Sequence, residues 1–362
     1  MVTPNDSAND GKTLDDVSSR HRFRLVIIAL SIVAAVAGTV FVFAQSRSET
    51  TTTQSVAATL RVAGMPNAIA AGPDALWAGL NEGPAQTQGT LVRLDLATGA
   101  IRKSVTLPGV LTAAIRTGAS LWVEHAGDWN DSKPGGLDQL DWKTGAMRNR
   151  LRFDDPLFGL ASGDGALWAV VGREPATLVR IDPDVDRVIV GKPVVIDQNR
   201  VIGLAYGEGA VWAAGFESGT LIRIDPATGS KRSVKVGDMP VGVTVAGGSV
   251  WIATRGQGTV TRVDPKSMRV LDTIDVGENP TFLAATAGSV WVANQTDGTV
   301  TRIDAETGTS VGEPIRIAPK PPSGNSDEAG GGAAAYSFAT TGDSLWVTSL
   351  TQRTISRIDP AR

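Results

Sequence analysis

The chain contains no cysteine, only two histidines and only two tyrosines among its 362 residues. The absence of cysteine excludes disulfides, cysteine-ligated zinc, iron–sulfur clusters and a cysteine nucleophile. The two histidines, His21 and His125, are too few for a multi-histidine metal centre. A surplus of basic charge is also lacking, because 34 Lys and Arg stand against 37 Asp and Glu. We therefore expect no nucleic-acid partner, since binding through phosphates requires such a surplus.

Charge is missing from one long segment, the twenty residues from Leu25 to Ala44. A helix of that length spans about 30 Å, the hydrocarbon thickness of a bilayer. Three arginines precede it, at positions 20, 22 and 24. The positive-inside rule then predicts a cytoplasmic tail at 1–24, a single transmembrane helix at 25–44 and an extracytoplasmic remainder. A second interpretation stays open: a signal peptide cleaved near Ala44, which gives a secreted protein.

After a polar, Ser/Thr-rich linker at 45–56, two short motifs recur along the chain. The first is a small residue, an apolar residue and a tryptophan, with the tryptophan at positions 77, 122, 168, 212, 251, 291 and 346. The second reads basic–apolar–Asp, as in Arg262-Val263-Asp264, and the second repeat carries Gln139 in place of the basic residue. Spacings of about 40 to 45 residues are typical of the blades of a β-propeller. A tryptophan that occupies one position in every repeat is interpreted as packing between blades.

Each repeat is predicted to form four strands. In one repeat these are strand A at 242–246, B at 250–253, C at 259–263 and D at 270–275, because side chains alternate with the period of two of a strand. The last repeat stops at Arg362 without a strand D, and residues 57–62 match that strand. We therefore predict an all-β fold: one seven-bladed propeller domain at 57–362, with the ring closed by the N-terminal strand.

The recurring pattern of G-x-x-P, a small-apolar-Trp strand and T-v-x-R-I-D-x-x-T-G resembles bacterial propellers of the YVTN/NHL type. It is related in pattern to the streptogramin B (virginiamycin B) lyase family. That resemblance implies the propeller fold over 57–362. In the lyases a histidine and Glu carboxylates act with Mg²⁺ on late blades. Here the late blades read Trp251-Ile252-Ala253-Thr254 and Trp291-Val292-Ala293-Asn294, without a histidine.

Three segments depart from the repeat length, at 81–88, 126–136 and 319–335. The first two lengthen the B–C loops of blades one and two, and the third precedes blade seven. All three are predicted to emerge on one face of the ring, over neighbouring blades. Because loops on a rigid scaffold commonly carry binding residues, this face is predicted to be the functional one. Drift in the length of surface loops is the alternative.

Blade two has a second departure: two residues after its tryptophan, where the other blades carry a small or apolar residue, it carries Glu124, followed by His125. With the nearby carboxylates this pair is able to bind a divalent ion such as Mg²⁺ or to serve as acid and base. Two alternatives stay open: a binding surface without chemistry, and a solvated loop in which Glu124 and His125 pair with Lys133 or a neighbouring arginine. Adjacent strand residues point to opposite faces, which argues against one shared ligand. The candidate binding residues are Asn81, Glu82, Glu124, His125, Asp128, Trp129 and Asp131.

No G-x-S-x-G elbow, Walker A loop or H-E-x-x-H motif occurs. The sequence therefore favours a membrane-anchored recognition or scaffold domain, without a cofactor, that binds a protein, a peptide or a cell-envelope ligand. Two alternatives remain: a metal-dependent lyase or hydrolase centred on Glu124 and His125, and a purely structural platform.

Overall fold

The computed structural model describes residues 55–83, 86–127, 134–183, 192–198, 200–286, 288–320 and 335–359. These belong to one compact unit, Thr51–Arg362. The predicted cytoplasmic tail, the segment 25–44 and nearly all of the linker lie outside the described residues. Within the described part of the chain, no helix is long and apolar enough to cross a membrane.

The described residues form strands and turns only, arranged as seven four-stranded antiparallel sheets. Blade one comprises β2 (Met65–Ala71), β3 (Ala75–Asn81), β4 (Gln88–Asp95) and β5 (Ile101–Pro108), and blade two comprises β6 (Val110–Thr117), β7 (Ser120–Ala126), β8 (Gly136–Asp141) and β9 (Met147–Arg152). Blade three comprises β10 (Leu157–Gly163), β11 (Ala166–Val171), β12 (Thr177–Ile181) and β13 (Val194–Val195), and blade four comprises β14 (Val201–Gly207), β15 (Ala210–Gly215), β16 (Thr220–Ile224) and β17 (Lys231–Lys235). Blade five comprises β18 (Pro240–Ala246), β19 (Ser249–Thr254), β20 (Thr259–Val263) and β21 (Val270–Asp275), and blade six comprises β22 (Pro280–Thr286), β23 (Ser289–Asn294), β24 (Thr299–Asp304) and β25 (Ile315–Arg316). Blade seven comprises β26 (Phe338–Thr341), β27 (Ser344–Ser349), β28 (Thr354–Ile358) and β1 (Val56–Arg61).

The sheets follow one another around a centre. The first strand of each blade packs against the first strand of the next, as β10 does against β14 and β14 against β18. The fourth strands lie at the rim and are largely exposed, as in β5 and β21. The predicted all-β propeller of seven four-stranded blades is therefore confirmed.

Blade five shows how closely the pattern predicted the strands. Strands C and D coincide with β20 and β21, and strand B extends by one residue at each end in β19. Strand A begins two residues earlier than predicted, at Pro240, because a bulge between Pro240 and Val243 interrupts the alternation of side chains.

The N-terminal strand completes blade seven. Strand β1 pairs with β28, with Thr59 opposite Ser356 and their hydroxyl oxygens 3.3 Å apart. The sheet order β1-β28-β27-β26 gives this blade the fourth strand that the last repeat lacks. Joining the two ends of the chain in one sheet removes an open seam in the ring.

The repeated tryptophans are buried between consecutive blades. Trp251 of blade five is fully buried and packs against Val290, Val292 and Ile303 of blade six. Its indole Nε1 donates to the carbonyl of Ala246, 3.1 Å away at the end of strand A. The indole nitrogen is thus satisfied while the ring fills the space between sheets.

The basic–apolar–Asp motif supports the same arrangement. In blades three to seven its arginine lies over the ring of the blade's own tryptophan, for example Arg262 at 5.2 Å from the centre of Trp251. The aspartate ends strand C and orders the following turn. The carboxylate of Asp95 accepts from the backbone N–H and the hydroxyl of Thr98, from Arg102 and from the N–H of Ala97, and these bonds lower the pKa of Asp95 to about 2.

We expect Trp251→Ala to lower the free energy of unfolding by about 3 to 5 kcal/mol, because it opens a cavity between two blades. Denaturant unfolding measures the change. Leu271→Ala is the matched control, since Leu271 is 49% exposed on the rim strand of the same blade. A loss below about 1 kcal/mol for Trp251→Ala would contradict packing between blades.

Candidate functional site

The long B–C loops of blades one and two share one face of the ring, while blades three and six, which are not neighbours, have long C–D connections at 182–193 and 305–314 on the opposite face. The loop between β3 and β4 covers residues 82–87 and that between β7 and β8 covers 127–135, whereas blades four to seven use four residues, as in 216–219 and 255–258. In antiparallel blades the B–C loops and the D–A connections emerge on the same side, which we call the loop-bearing face. Of the candidate residues, Asp128, Trp129 and Asp131 lie outside the described residues, as does most of 319–335.

Asn81 lies at the root of the first long loop and is fully buried. Its side-chain Nδ2 donates to the carbonyl of Leu111 at 2.9 Å, and its Oδ1 accepts from the N–H of Leu111 at 3.0 Å. The same Oδ1 accepts from Gln86 at 2.6 Å. Asn81 therefore joins strand β6 of blade two to blade one, and its amide is not exposed. Glu82, the next residue, is exposed on the loop.

Trp142 connects the same two blades at the opposite face. The indole of Trp77 donates to the carbonyl of Trp142 at 2.8 Å, and the Trp142 indole donates to Asp74 at 3.2 Å. The guanidinium of Arg116 lies 4.8 Å from the centre of the Trp142 ring. Trp142 is one of only two tryptophans outside the repeat, and the repeat motifs do not predict its role. We call the contact between blades one and two, held by Asn81 and Trp142, the blade one–two seam.

Glu124 is 6% exposed on β7. One of its carboxylate oxygens accepts a hydrogen bond from the Thr112 hydroxyl at 3.0 Å. Thr112 occupies the bulge of strand β6, between Leu111 and Ala113. Glu124 is opposite Leu137, which packs with Trp122 toward blade three. The carboxylate therefore lies on the blade-three side of the sheet.

His125 lies on the other side of the sheet, next to the ion pair of Asp138 and Arg150. Its Nε2 is 3.8 Å from Asp138 Oδ1, and the two residues are 8% and 0% exposed. Arg150 binds Asp138 through two nitrogens, Nε at 2.6 Å and Nη2 at 3.0 Å. Only glycine fits at position 136, because a Cβ there would lie 2.7 Å from the His125 ring.

The protonation state of His125 follows from this setting. Burial lowers its pKa; Asp138 opposes the effect, and Arg150 and Arg152 reinforce it. The net result is a pKa below that of an exposed histidine, so the ring is neutral at pH 7. In the ion pair, the hydrogen bonds that Arg150 donates to the Asp138 carboxylate raise the pKa of Arg150.

The two adjacent candidates thus do not meet. Val123 and Asp138 are paired and face blade one with His125, while Glu124 faces blade three. One metal ion is therefore not within reach of both side chains. In the described part of the chain, no three His, Asp or Glu residues cluster as a metal site would require. The donors found here do not fit the Mg²⁺ chemistry that the lyase resemblance implies.

Asp138 is the residue of this site that the sequence analysis missed. It stands immediately before the second motif, where the other blades carry Val92, Val179, Ile222, Thr261, Thr301 and Ser356. A carboxylate among apolar and hydroxyl residues was the available signal. Its partner Arg150 is not visible locally, because the two meet only through the pairing of β8 with β9.

Comparison with known proteins supports the fold and leaves the family open. No protein-family model and no curated protein matches the chain. Among solved structures, the β-propeller domain of Cps50 (Swd1) from Myceliophteria thermophila matches with a TM-score of 0.63 at 14% identity, over 85% of this chain and all of that one. The computationally designed protein Ika8 matches with a TM-score of 0.59, also at 14% identity and over the same shares. These similarities show the propeller fold and do not confirm a relation to the YVTN/NHL propellers or the lyases.

We expect the imidazole signals of His125 to titrate at a lower pH than those of an exposed histidine. NMR of the full chain measures this, and His125→Asn identifies the signal. Arg152→Gln should raise the pKa, because it removes a positive charge. In the unsubstituted chain, the pKa of His125 is lower in the folded state than in the unfolded state, so the unfolded chain binds more protons at a pH between the two values. His125 therefore makes the free energy of unfolding fall as the pH drops from the unfolded-state pKa to the folded-state pKa. A pKa at or above that of an exposed histidine would contradict the buried geometry.

Proposed function

We propose that the chain is a membrane-anchored, extracytoplasmic recognition or scaffold domain that binds a protein, a peptide or a cell-envelope ligand through its loop-bearing face. One observation carries the proposal. In a ring whose blades four to seven use four-residue B–C loops, the B–C loops of the neighbouring blades one and two reach six and nine residues on the same face. A propeller is suited to such a role because a rigid ring fixes the position of its loops.

The contacts at the base of these loops fix their position, which favours binding. Asn81 and Trp142 hold the blade one–two seam at both faces of the ring. A loop on a fixed base loses less conformational entropy when it binds a partner. The proposal gives Glu124 and His125 no shared catalytic role, because their side chains lie on opposite faces of the sheet.

Anchoring and location rest on the sequence. The uncharged run at 25–44 is long enough to span a bilayer, and the three arginines before it favour a cytoplasmic N-terminus. Cleavage near Ala44 would instead release the propeller. Kinship with the YVTN/NHL-type propellers is part of the same proposal, supported by the repeated G-x-x-P and R-I-D motifs.

A photo-crosslinking residue tests the binding face in the full chain expressed in its own cells. We expect a photo-crosslinking amino acid in place of Glu82, which is exposed on the loop-bearing face, to yield adducts of defined mass. Thr98 is the matched control, since it is exposed in the C–D turn of the same blade, on the opposite face. The same cells, fractionated after an alkaline wash, should retain the uncleaved chain in the membrane.

Equal adducts from Glu82 and Thr98, or adducts from Thr98 alone, would contradict binding through the loop-bearing face. A chain that is recovered in the soluble fraction with a new N-terminus near residue 45 would contradict the anchor and leave the binding face to be judged by the adducts.

A further inference from the structure

The rim strand of blade two is an open, basic edge. Strand β9 reads Met-Arg-Asn-Arg-Leu-Arg and is the last strand of the sheet β6-β7-β8-β9. In the described part of the chain, no strand pairs with its outer side. The rim strand of the neighbouring blade, β5, adds Arg102 and Lys103 and also lacks an acidic residue. Arg102 pairs with Asp95 and Arg148 with Asp141, so in the described part of the chain the positive charge left on these two rims lies mainly on Lys103 and Arg152, beside Arg150.

The buried carboxylate of Asp138 fixes one of these arginines. Taking a carboxylate out of water costs several kcal/mol, and an ion pair rarely recovers more than that cost. The other blades occupy the same position with Val, Ile, Thr or Ser, so the fold itself does not need the carboxylate. Asp138 instead accepts hydrogen bonds from Nε and Nη2 of Arg150, which fixes the guanidinium and leaves Nη1 available at the rim. The Arg150 side chain remains 36% exposed.

Arg152 extends the same row. It is opposite Gly136, two residues beyond Arg150, and therefore points to the same side of the sheet. Its side chain is exposed, and among the described residues no carboxylate pairs with it. Both arginines lower the pKa of His125, which shows that their positive potential reaches the interior of the blade. Their spacing along the strand is about 6.6 to 6.8 Å.

We propose that the outer edge of β9 binds an acidic peptide segment as a fifth, extended strand of blade two. Main-chain hydrogen bonds to the edge of β9 supply affinity, as in other cases of strand addition, and the peptide displaces the Asn149 side chain, which accepts from the Arg150 N–H at 2.8 Å. Carboxylates on alternate residues of the peptide then lie beside Arg150 and Arg152, because directly opposite side chains in paired strands are about 4.5 to 5.5 Å apart. A fixed guanidinium loses little entropy when it binds a carboxylate through two nitrogens. This rim surface is distinct from the loop-bearing face, so the two proposals stand or fall separately.

Edge protection is the competing explanation. Charged residues on an open strand prevent unwanted pairing between molecules. Protection requires only charge, and a mobile arginine provides it. A guanidinium held by a buried carboxylate goes beyond that requirement, which favours recognition.

Fluorescence anisotropy of a labelled ten-residue peptide of alternating Glu and Thr, titrated with the full chain, tests the proposal. We expect saturable binding that weakens at least tenfold with Arg152→Glu and with a peptide in which Gln replaces Glu. Arg150→Lys keeps the charge but loses the two-point geometry, and we expect it to weaken binding several-fold. Arg232→Glu on β17, an exposed basic residue on the rim of blade four, is the matched control and should leave binding unchanged.

Three outcomes would overturn the proposal. Equal weakening of binding by Arg152→Glu and Arg232→Glu would indicate general charge attraction. Displacement of the peptide by inorganic triphosphate as effectively as by an unlabelled copy would indicate an anion patch. Unchanged affinity of a backbone N-methylated peptide would exclude strand pairing. Thermal unfolding of each variant confirms that the exposed substitutions leave the fold intact.

Discussion

Each blade inserts one tryptophan between its own sheet and the sheet of the next blade, and the rest of the structure depends on that contact. A four-stranded sheet with apolar residues on both faces is stable only when both faces are covered. The contact passes around the ring until Trp346 of blade seven packs against Ile69 and Leu76 of blade one. The ring must therefore close, and the pairing of β1 with β28 closes it through the main chain as well.

This dependence explains why so much of the fold could be predicted from the sequence. A position that faces the next blade in every repeat is constrained in the same way seven times, so the tryptophans and the Asp turns recur at nearly constant spacing. The prediction of strand A failed by two residues in blade five because the bulge after Pro240 breaks the alternation that reveals a strand. The segments 1–24 and 25–44 remain predictions, since they lie outside the described residues.

The site was harder to predict because its contacts join distant parts of the chain. Glu124 and His125 stood out by alignment of the repeats, and the alternation of strand residues already indicated that they face apart. The amide of Asn81 is satisfied by Leu111, thirty residues away, and no local pattern shows this. Asp138 broke the repeat visibly, but its meaning depends on Arg150 across the sheet. Departures from the repeat thus indicate where function lies, while pairing between strands decides what each side chain can do.

The closure of the ring underlies both proposals, because the loop-bearing face and the rim of blade two are defined only relative to it. The chain has no cysteine, so Thr59→Cys with Ser356→Cys tests closure without interference. We predict that an intramolecular disulfide forms under mild oxidation and raises the free energy of unfolding by about 4 kcal/mol, an effect that a reductant removes. Thr59→Cys with Ser233→Cys, which places the second thiol on the rim of blade four, should form no such bond. Failure of residues 59 and 356 to join within one molecule, or equal joining of 59 with 233, would contradict the closed ring.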